Sequence, residues 1–118
     1  SIERMIYPVG CPVKPWQIYG CSSIRRLDCY KVTSETSSNG SFGSLTSLTE
    51  FVIRDTGSVW IFGDTAFYYM FVYESTPIGR GEGYVYVPDD LLGDYKANCP
   101  SYESRFKGIS ELPEWEGD

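Results

Sequence analysis

The sequence contains no histidine. Histidine is the only side chain whose ordinary pKa lies between pH 5 and 8, so the chain lacks the usual general acid and base of enzymes that work near neutral pH. It also lacks a Cys-x-x-Cys pair, and its four cysteines lie at long and irregular spacings. Structural zinc sites place their ligands at short spacings. We therefore expect no metal site and no cofactor.

Two further absences limit the partners of the chain. No run approaches the roughly 18 apolar residues of a membrane span, and no charged-then-apolar leader opens the sequence, so we expect no membrane insertion. An excess of positive charge is also lacking, since the formal net charge is −6. This negative net charge disfavours RNA as a partner, although it is compatible with a local basic patch. Because the chain begins at Ser1 rather than Met, we expect a mature, processed form.

The composition indicates a globular protein. Apolar residues make up 42% of the 118 residues and charged residues 22%, which excludes the disordered and fibrous classes. A chain of this length forms one domain of ordinary size. We expect a single domain over residues 1–118, with an N-terminal strap, a C-terminal extension and a monomeric state.

The number of cysteines is even, which favours two disulfides in a secreted protein. The alternative is four buried thiols in a cytosolic domain. Sequence spacing alone leaves both interpretations open.

Residues 50–74 hold the main concentration of β-branched and aromatic side chains. They predict strands at 52–53, 59–62 and 67–73, with turns at 55–57 and 63–65. Such short connections require antiparallel pairing, because a parallel return needs a crossover of a dozen residues or more. A fourth strand is predicted at Tyr84–Val87, closed off by Pro88.

Two helices are predicted outside this sheet. Ser22 and Ser23 are good N-cap residues before Ile24, Leu27 and Tyr30 at helical spacing, so we predict a helix at 23–33. A strand also fits this segment, because its apolar residues alternate. A short helix after Cys99 would align residues 102, 106 and 109, and the alternative there is a loosely held acidic tail. Residues 33–47, 75–83 and 88–98 are predicted to be loops.

The stretch that begins at Glu50 carries a family motif. It reads Glu-Phe-Val-Ile, then a turn with Gly57, then Val59-Trp60. This pattern resembles the catalytic-strand motif of the small guanyl-specific fungal ribonucleases, which reads Glu-Trp-Pro-Ile, a turn with Gly, and Val-Tyr at the same spacing. The resemblance runs without a gap to about Glu74. It implies an α+β fold with one α-helix packed on a central antiparallel sheet of about four strands.

The order of the cysteines resembles the same family. Those enzymes have a Tyr-x-Cys motif near the N-terminus, here Tyr19-Gly20-Cys21, whose partner lies near the C-terminus, here Cys99. A second disulfide joins the cysteines on either side of this first cysteine, here Cys11 and Cys29. The resemblance therefore implies the disulfides Cys11–Cys29 and Cys21–Cys99.

The family's catalytic residues are incomplete in this chain. In the family a Glu is the general base, a His the general acid, and an Arg stabilises charge on the phosphate. Glu50 matches the Glu, but Tyr69 stands at the Arg position and Val87 near the His position. Because one carboxylate cannot take and give a proton in the same step, we expect no enzymatic activity and a vestigial Glu50.

Size, the Tyr-x-Cys motif and the missing catalytic set are similar to those of the RNase-like secreted effectors that are associated with the haustoria of powdery mildews. The resemblance implies an avirulence factor that is secreted and then translocated into the cytoplasm or nucleus of a plant cell. There it would bind a host protein or RNA, and an intracellular nucleotide-binding leucine-rich-repeat (NLR) immune receptor would recognise it. The alternatives are an active or residual secreted ribonuclease and a disulfide-stabilised secreted toxin.

Surface loops tolerate substitution and carry binding residues on a rigid scaffold. We therefore predict that partners contact Arg80, Glu82, Tyr102 and Arg105, which combine charge or an aromatic ring with flanking Gly, Ser or Pro. Tyr69 is a further candidate, on a tyrosine-rich face of the sheet.

Overall fold

The part of the chain that the structure describes contains five short strands. The computed structural model describes residues 3–11, 21–30, 45–57 and 76–115, and all statements about structure concern these four segments. The strands are β1 (Arg4–Ile6), β2 (Arg26–Cys29), β3 (Glu50–Ile53), β4 (Tyr84–Val87) and β5 (Phe106–Gly108).

All strand pairs are parallel, and the strands lie in the sheet in the order of the chain, β1-β2-β3-β4-β5. Residues that pair across the sheet recur in the sequence at intervals of about 20 to 35 residues, as in repeat architectures. Connections of this length permit the parallel pairing of neighbouring strands.

Alternate residues of the strands face a hydrophobic core. One row of register partners on this core face consists of Met5, Leu27, Phe51, Val85 and Phe106. The last four are fully or almost fully buried and belong to one cluster, against which Met5 packs. The cluster also contains residues from the described parts of all four connections between strands: Ile24, Leu45, Leu48, Ile78, Tyr95 and Cys99. The described parts of the connections thus pack on the core face.

The opposite face of the sheet, here called the outer face, carries two rows of register partners. The first outer row consists of Arg4, Arg26, Glu50 and Tyr84. The second outer row consists of Ile6, Asp28, Val52, Tyr86 and Lys107. Most of these side chains are polar or aromatic, so the outer face differs in chemistry from the apolar core face.

The connection from β4 to β5 is described throughout. Pro88 ends β4, and a 3-10 turn (Asp89–Leu91) leads into helix α1 (Leu92–Asn98). Tyr95 is buried in the core, where its ring stacks on Phe106 with a centroid distance of 5.8 Å. The 3-10 segments Pro100–Arg105 and Ile109–Glu111 flank β5. No described helix is long and apolar enough to span a membrane.

Gly83 allows β3 and β4 to start close together. The N–H of Tyr84 donates to the Thr49 carbonyl at 2.9 Å, and a Cβ on Gly83 would collide with that carbonyl. A side chain at position 83 would therefore push the first residues of the two strands apart.

The predicted antiparallel sheet of about four strands is wrong, since the described sheet has five strands and is entirely parallel. Antiparallel pairing follows only if β3 pairs with the strands predicted at 59–62 and 67–73, which lie outside the described residues. The partner of β3 is β4, and the long connection between them permits parallel pairing. The strand at Tyr84–Val87 is confirmed.

Both predicted helices are wrong in the described part of the chain. Residues 26–29 form β2, as the alternating interpretation of that segment predicted, because Leu27 and Cys29 both point into the core. After Cys99, residues 106–108 form β5 between two 3-10 segments. The described α-helix is α1, within the loop predicted at 88–98.

The predicted disulfides are also wrong. All four cysteines lie in the described segments, and no two of them are joined. Cys11 is exposed, Cys21 is half-buried, and Cys29 and Cys99 are buried. Cys29 is on the core face of β2, where burial and the neighbouring Asp28 carboxylate raise the pKa of its thiol. A pairing of Cys29 with Cys11 would require an exposed and a core residue to meet.

Candidate functional site

The first outer row contains a buried ion pair. Arg26 and Glu50 open β2 and β3, and the parallel register sets them opposite each other. The Arg26 Nε–H donates to Glu50 Oε1 at 2.6 Å. The two side chains are only 4% and 16% exposed, so the pair is shielded from solvent and stronger than a surface ion pair.

The segment 112–115, here called the C-terminal segment, lies against this pair. It follows the last 3-10 turn and has no regular secondary structure. The Arg26 Nη2 donates to the carbonyl oxygen of Pro113 at 2.5 Å. Arg26 thus uses one nitrogen for Glu50 and another for the C-terminal segment.

Trp115 lies among three arginines. The guanidinium carbon of Arg25 is 4.7 Å from the centre of the indole ring, that of Arg26 5.4 Å and that of Arg4 5.8 Å. All three distances are within the range of cation–π attraction, which is strongest for tryptophan. The three cations come from β1, β2 and the residue before β2, so the strand order assembles this arrangement.

An open cleft of about 310 Å³ lies beside the indole ring. Here called the Trp115 cleft, it is lined by Arg25, Arg26, Thr49, Glu50, Pro113, Glu114 and Trp115. It is at the amino ends of β2 and β3, between the outer face and the C-terminal segment. Its described lining combines two guanidinium groups, two carboxylates and one aromatic ring.

The second outer row holds another ion pair. Arg54, directly after β3, donates from Nε and Nη2 to the two carboxylate oxygens of Asp28 at 2.7 and 2.9 Å. Arg4 reaches the same carboxylate at 3.5 Å. The hydrogen bond to Asp28 raises the pKa of Arg54. This bidentate pair joins β2 to the end of β3 and positions Arg4 beneath Trp115.

Aromatic side chains cover the other end of the outer rows. The Tyr84 and Tyr86 rings meet edge to face with centroids 6.2 Å apart, and the Lys107 Nζ lies 4.0 Å from the centre of the Tyr84 ring. Burial, followed by the charge of Glu50, raises the pKa of Tyr86. Tyr86 is therefore buried and neutral near pH 7.

The described lining of the Trp115 cleft has the chemistry of a binding surface. The Glu50 carboxylate accepts from Arg26, and the Thr49 hydroxyl donates to the Arg25 carbonyl at 3.2 Å. Within the described segments, no group of three or more His, Cys, Asp or Glu residues could hold a metal ion. The arrangement offers charge and an aromatic ring without a nucleophile next to a base.

The structure groups three of the predicted contact residues at one turn, and none of the three lines the cleft. The Arg80 Nε–H donates to Glu82 Oε1 at 3.0 Å, and Arg105 Nη2 donates to the Gly79 carbonyl at 3.2 Å. Tyr102 is half-buried and packs against the core cluster. Tyr69 lies outside the described residues. The role of these residues in binding stays a prediction.

Sequence reasoning placed Glu50 correctly on a strand but missed its neighbours. The helix predicted at 23–33 includes Arg26, although the alternation of Arg26 and Asp28 with the core residues Leu27 and Cys29 indicates the outer face of a strand. Trp115 lies in the segment for which a loosely held acidic tail was the alternative to a short helix. The signal was the tryptophan itself, which lies between Glu114 and Glu116, because a tryptophan side chain rarely lies unpacked.

The chain matches no protein-family model, and comparison with curated proteins and with solved structures finds no significant similarity. The site must therefore be interpreted from its own geometry.

Proposed function

We propose that the protein binds another protein through the Trp115 cleft and catalyses no reaction there. The observation that carries the proposal is the indole ring of Trp115 within 6 Å of three guanidinium groups, beside an open concave surface. Tryptophan and arginine are the residues that most often dominate the binding energy of protein interfaces.

Charge favours a protein over RNA as the partner. The cleft contains the carboxylates of Glu50 and Glu114 next to Arg25 and Arg26, so its arginines are already compensated. The whole chain carries a net charge of −6. A phosphate backbone would meet repulsion here, whereas a polypeptide offers charges of both signs.

Three observations support a role without catalysis. The chain has no histidine, and Glu50 is held by Arg26. The cleft also lies at the amino ends of parallel strands. Active sites of open parallel α/β sheets lie outside the carboxyl ends.

That the protein acts inside a plant cell is implied by the ribonuclease resemblance and stays a prediction. A secreted effector that acts in plant cells and is recognised by an NLR receptor remains compatible with a binding role. The resemblance implied the host setting through an antiparallel ribonuclease fold, and the described sheet is parallel. The alternative of a secreted ribonuclease loses support because it needs the antiparallel ribonuclease fold. The alternative of a disulfide-stabilised toxin loses support because the structure joins no two cysteines.

A two-stage binding experiment tests the proposal. The immobilised protein is incubated with plant leaf extract, retained proteins are identified by mass spectrometry, and each is then purified and titrated by calorimetry. Arg25→Glu changes the exposed cation closest to Trp115, and Arg80→Glu is the matched control, because each arginine forms an exposed ion pair. We expect a partner whose affinity falls at least tenfold with Arg25→Glu and stays unchanged with Arg80→Glu. Equal loss with both variants, or no partner that survives purification, would contradict the proposal.

A further inference from the structure

We infer that Arg105 and the turn beside it form a second binding site, which takes a carboxylate group of another protein. The site, here called the Arg105 site, consists of the Arg105 side chain, Ser104 and the turn 76–82. None of these residues lines the Trp115 cleft. The inference therefore goes beyond the proposed function and concerns a different ligand.

Arg105 differs from the other arginines of the chain in its counter-charge. The chain has six arginines, all in the described segments, and five of them form ion pairs with carboxylates: Arg4, Arg25, Arg26, Arg54 and Arg80. Arg105 forms no ion pair with any carboxylate of the described segments, and its hydrogen bonds go to neutral oxygens. Glu82, in the neighbouring turn, is already paired with Arg80 at 3.0 Å. The positive charge of Arg105 is therefore uncompensated, in a chain whose net charge is −6.

The guanidinium group of Arg105 is held in place before any ligand binds. Its Nη2 donates to the Gly79 carbonyl at 3.2 Å, and its Nη1 donates to Ser104 Oγ at 3.1 Å. The Gly79 residue is itself fixed, because its N–H donates to Thr76 Oγ1 at 3.1 Å and Thr76 is fully buried. A group that is already ordered loses little conformational freedom on binding, so more of its attraction contributes to affinity.

The donors of Arg105 are only partly used. An arginine side chain has five N–H groups, and the bonds to Gly79 and Ser104 take two of them. The Nε–H is buried and has no partner among the described residues. Each of the two terminal nitrogens therefore keeps one further N–H. Arg105 is only half-buried, and the adjacent Gly81 has no side chain to cover it, so a ligand can reach these donors.

Two features favour a carboxylate over a phosphate as the ligand. The two oxygens of a carboxylate match two donors on one guanidinium group, and this pairing is among the strongest hydrogen-bonded contacts in proteins. A phosphate group carries three acceptor oxygens and up to two negative charges. The exposed carboxylates of Glu82 and Glu103 near the site would repel the larger charge more strongly. The ligand is therefore an acidic side chain or a chain terminus of a protein.

NMR titrations of the ¹⁵N-labelled full-length protein at constant ionic strength test the inference. The probes are N-acetylglutamate N-methylamide, which presents a side-chain carboxylate, N-acetylglycine, which presents a terminal carboxylate, and inorganic phosphate. We expect saturable shifts of the Gly79 and Arg105 amide signals with the carboxylate probes, and the tighter of the two identifies the source of the carboxylate. Tighter binding of phosphate than of both carboxylates, or shifts that sodium chloride reproduces, would overturn the inference.

Three variants separate Arg105 from the general charge of the protein. Arg105→Gln should abolish the saturable shifts. Arg105→Lys keeps the charge but loses the planar pair of donors, so it should weaken binding at least fivefold. Lys107→Gln removes the same charge two residues further along the chain, where Lys107 lies over the Tyr84 ring, and should leave the affinity unchanged. Equal loss with Lys107→Gln and Arg105→Gln would show that only net charge matters and would contradict a site at Arg105.

The wild-type protein provides the test if the Arg105 variants do not fold. Its Arg105 side-chain signals are assigned through bonds from the backbone amide of the same residue. Because the carboxylate binds the terminal nitrogens, the Cζ and Nη signals of Arg105 should shift along the same binding curve as the Gly79 amide. Arg105 side-chain signals that stay unmoved at saturating probe would rule out the site.

Discussion

Arg26 and Glu50 occupy register positions on neighbouring parallel strands, and the Arg26 Nε–H donates to Glu50 Oε1 at 2.6 Å. Because Arg26 is almost completely buried, the ion pair determines whether its charge is compensated. The same arginine binds the C-terminal segment. The pair therefore connects the stability of the sheet to the geometry of the cleft.

Glu50→Ala should lower the free energy of unfolding by about 3 kcal/mol. This is the lower end of the range for breaking a buried ion pair, chosen because Glu50 is partly exposed. Urea unfolding at pH 7 measures the loss. Glu82→Ala is the control, since it breaks an exposed Arg–Glu pair of similar geometry, and it should change stability by no more than about 0.5 kcal/mol. Similar losses for both variants would show that the Arg26–Glu50 pair is not buried in solution.

The two faces of the sheet should respond differently to truncation. Phe51 is fully buried on the core face, so Phe51→Ala should cost about 3 to 5 kcal/mol of stability. Ile6 lies on the outer face of the edge strand β1 and is 58% exposed, so Ile6→Ala should cost less than about 1 kcal/mol. Chemical denaturation of both variants checks this. A large loss at Ile6 with a small loss at Phe51 would reverse the assignment of the faces.

Stability should fall at alkaline pH. Burial raises the pKa values of Cys29, Tyr86 and Tyr7 above their ordinary values of 9.0, 10.0 and 10.0. Above pH 9 the unfolded chain therefore releases protons that the folded chain retains, so the stabilisation present below pH 9 is lost as the pH rises. One such group contributes a slope of up to about 1.4 kcal/mol per pH unit.

Unfolding free energies between pH 8 and 10.5 measure this effect. Cys29→Val removes the titration of Cys29 and should flatten the slope between pH 9 and 10. An unchanged slope in this variant would mean that Cys29 is accessible to solvent when the protein is folded.

The thiols should differ in reactivity. Iodoacetamide added to the native protein should modify Cys11 first, because it is exposed, whereas Cys29 should react only after unfolding, because it is buried and its pKa is raised. Mass spectrometry after a timed pulse gives the order. Non-reducing peptide mapping provides the second test, and a Cys11–Cys29 or Cys21–Cys99 peptide would contradict the structure.

RNA cleavage should be absent. The chain has no histidine to protonate a leaving oxygen, and Glu50 is held by Arg26. A fluorogenic RNA substrate between pH 4 and 9 should show no cleavage above a buffer control. The opposite result would be a product that forms with the wild type and disappears with Glu50→Gln, a substitution that preserves the size of the side chain.

The sequence predicts β3 and β4 well, because β-branched and aromatic residues are dense there and Pro88 ends the second of them. It leaves β2 ambiguous. Over seven residues, Ile24, Leu27 and Tyr30 fit the helical period as well as Leu27 and Cys29 fit the strand period, and burial on both sides of β2 decides for the strand. The direction of pairing depends on which strands are neighbours, and local periodicity carries no information about this.

The candidate site was harder to predict than the sheet. Arg26 and Pro113 are 87 residues apart in the chain, so no local pattern could indicate their hydrogen bond. Glu50 was found through the motif at the start of β3. Its partner on β2 follows only from the parallel register.

The path of the C-terminal segment has a consequence for cooperativity. In a sheet whose strands follow chain order, each strand depends mainly on its sequence neighbours, and such arrays fray from their ends. The C-terminal segment leaves β5 at one edge and contacts Arg26 on β2 and Arg4 on β1 at the other. It thereby couples the two fraying ends into one unfolding unit. Trp115→Ala would uncouple them, and faster hydrogen exchange in β1 and β5 than in β3 would report the loss.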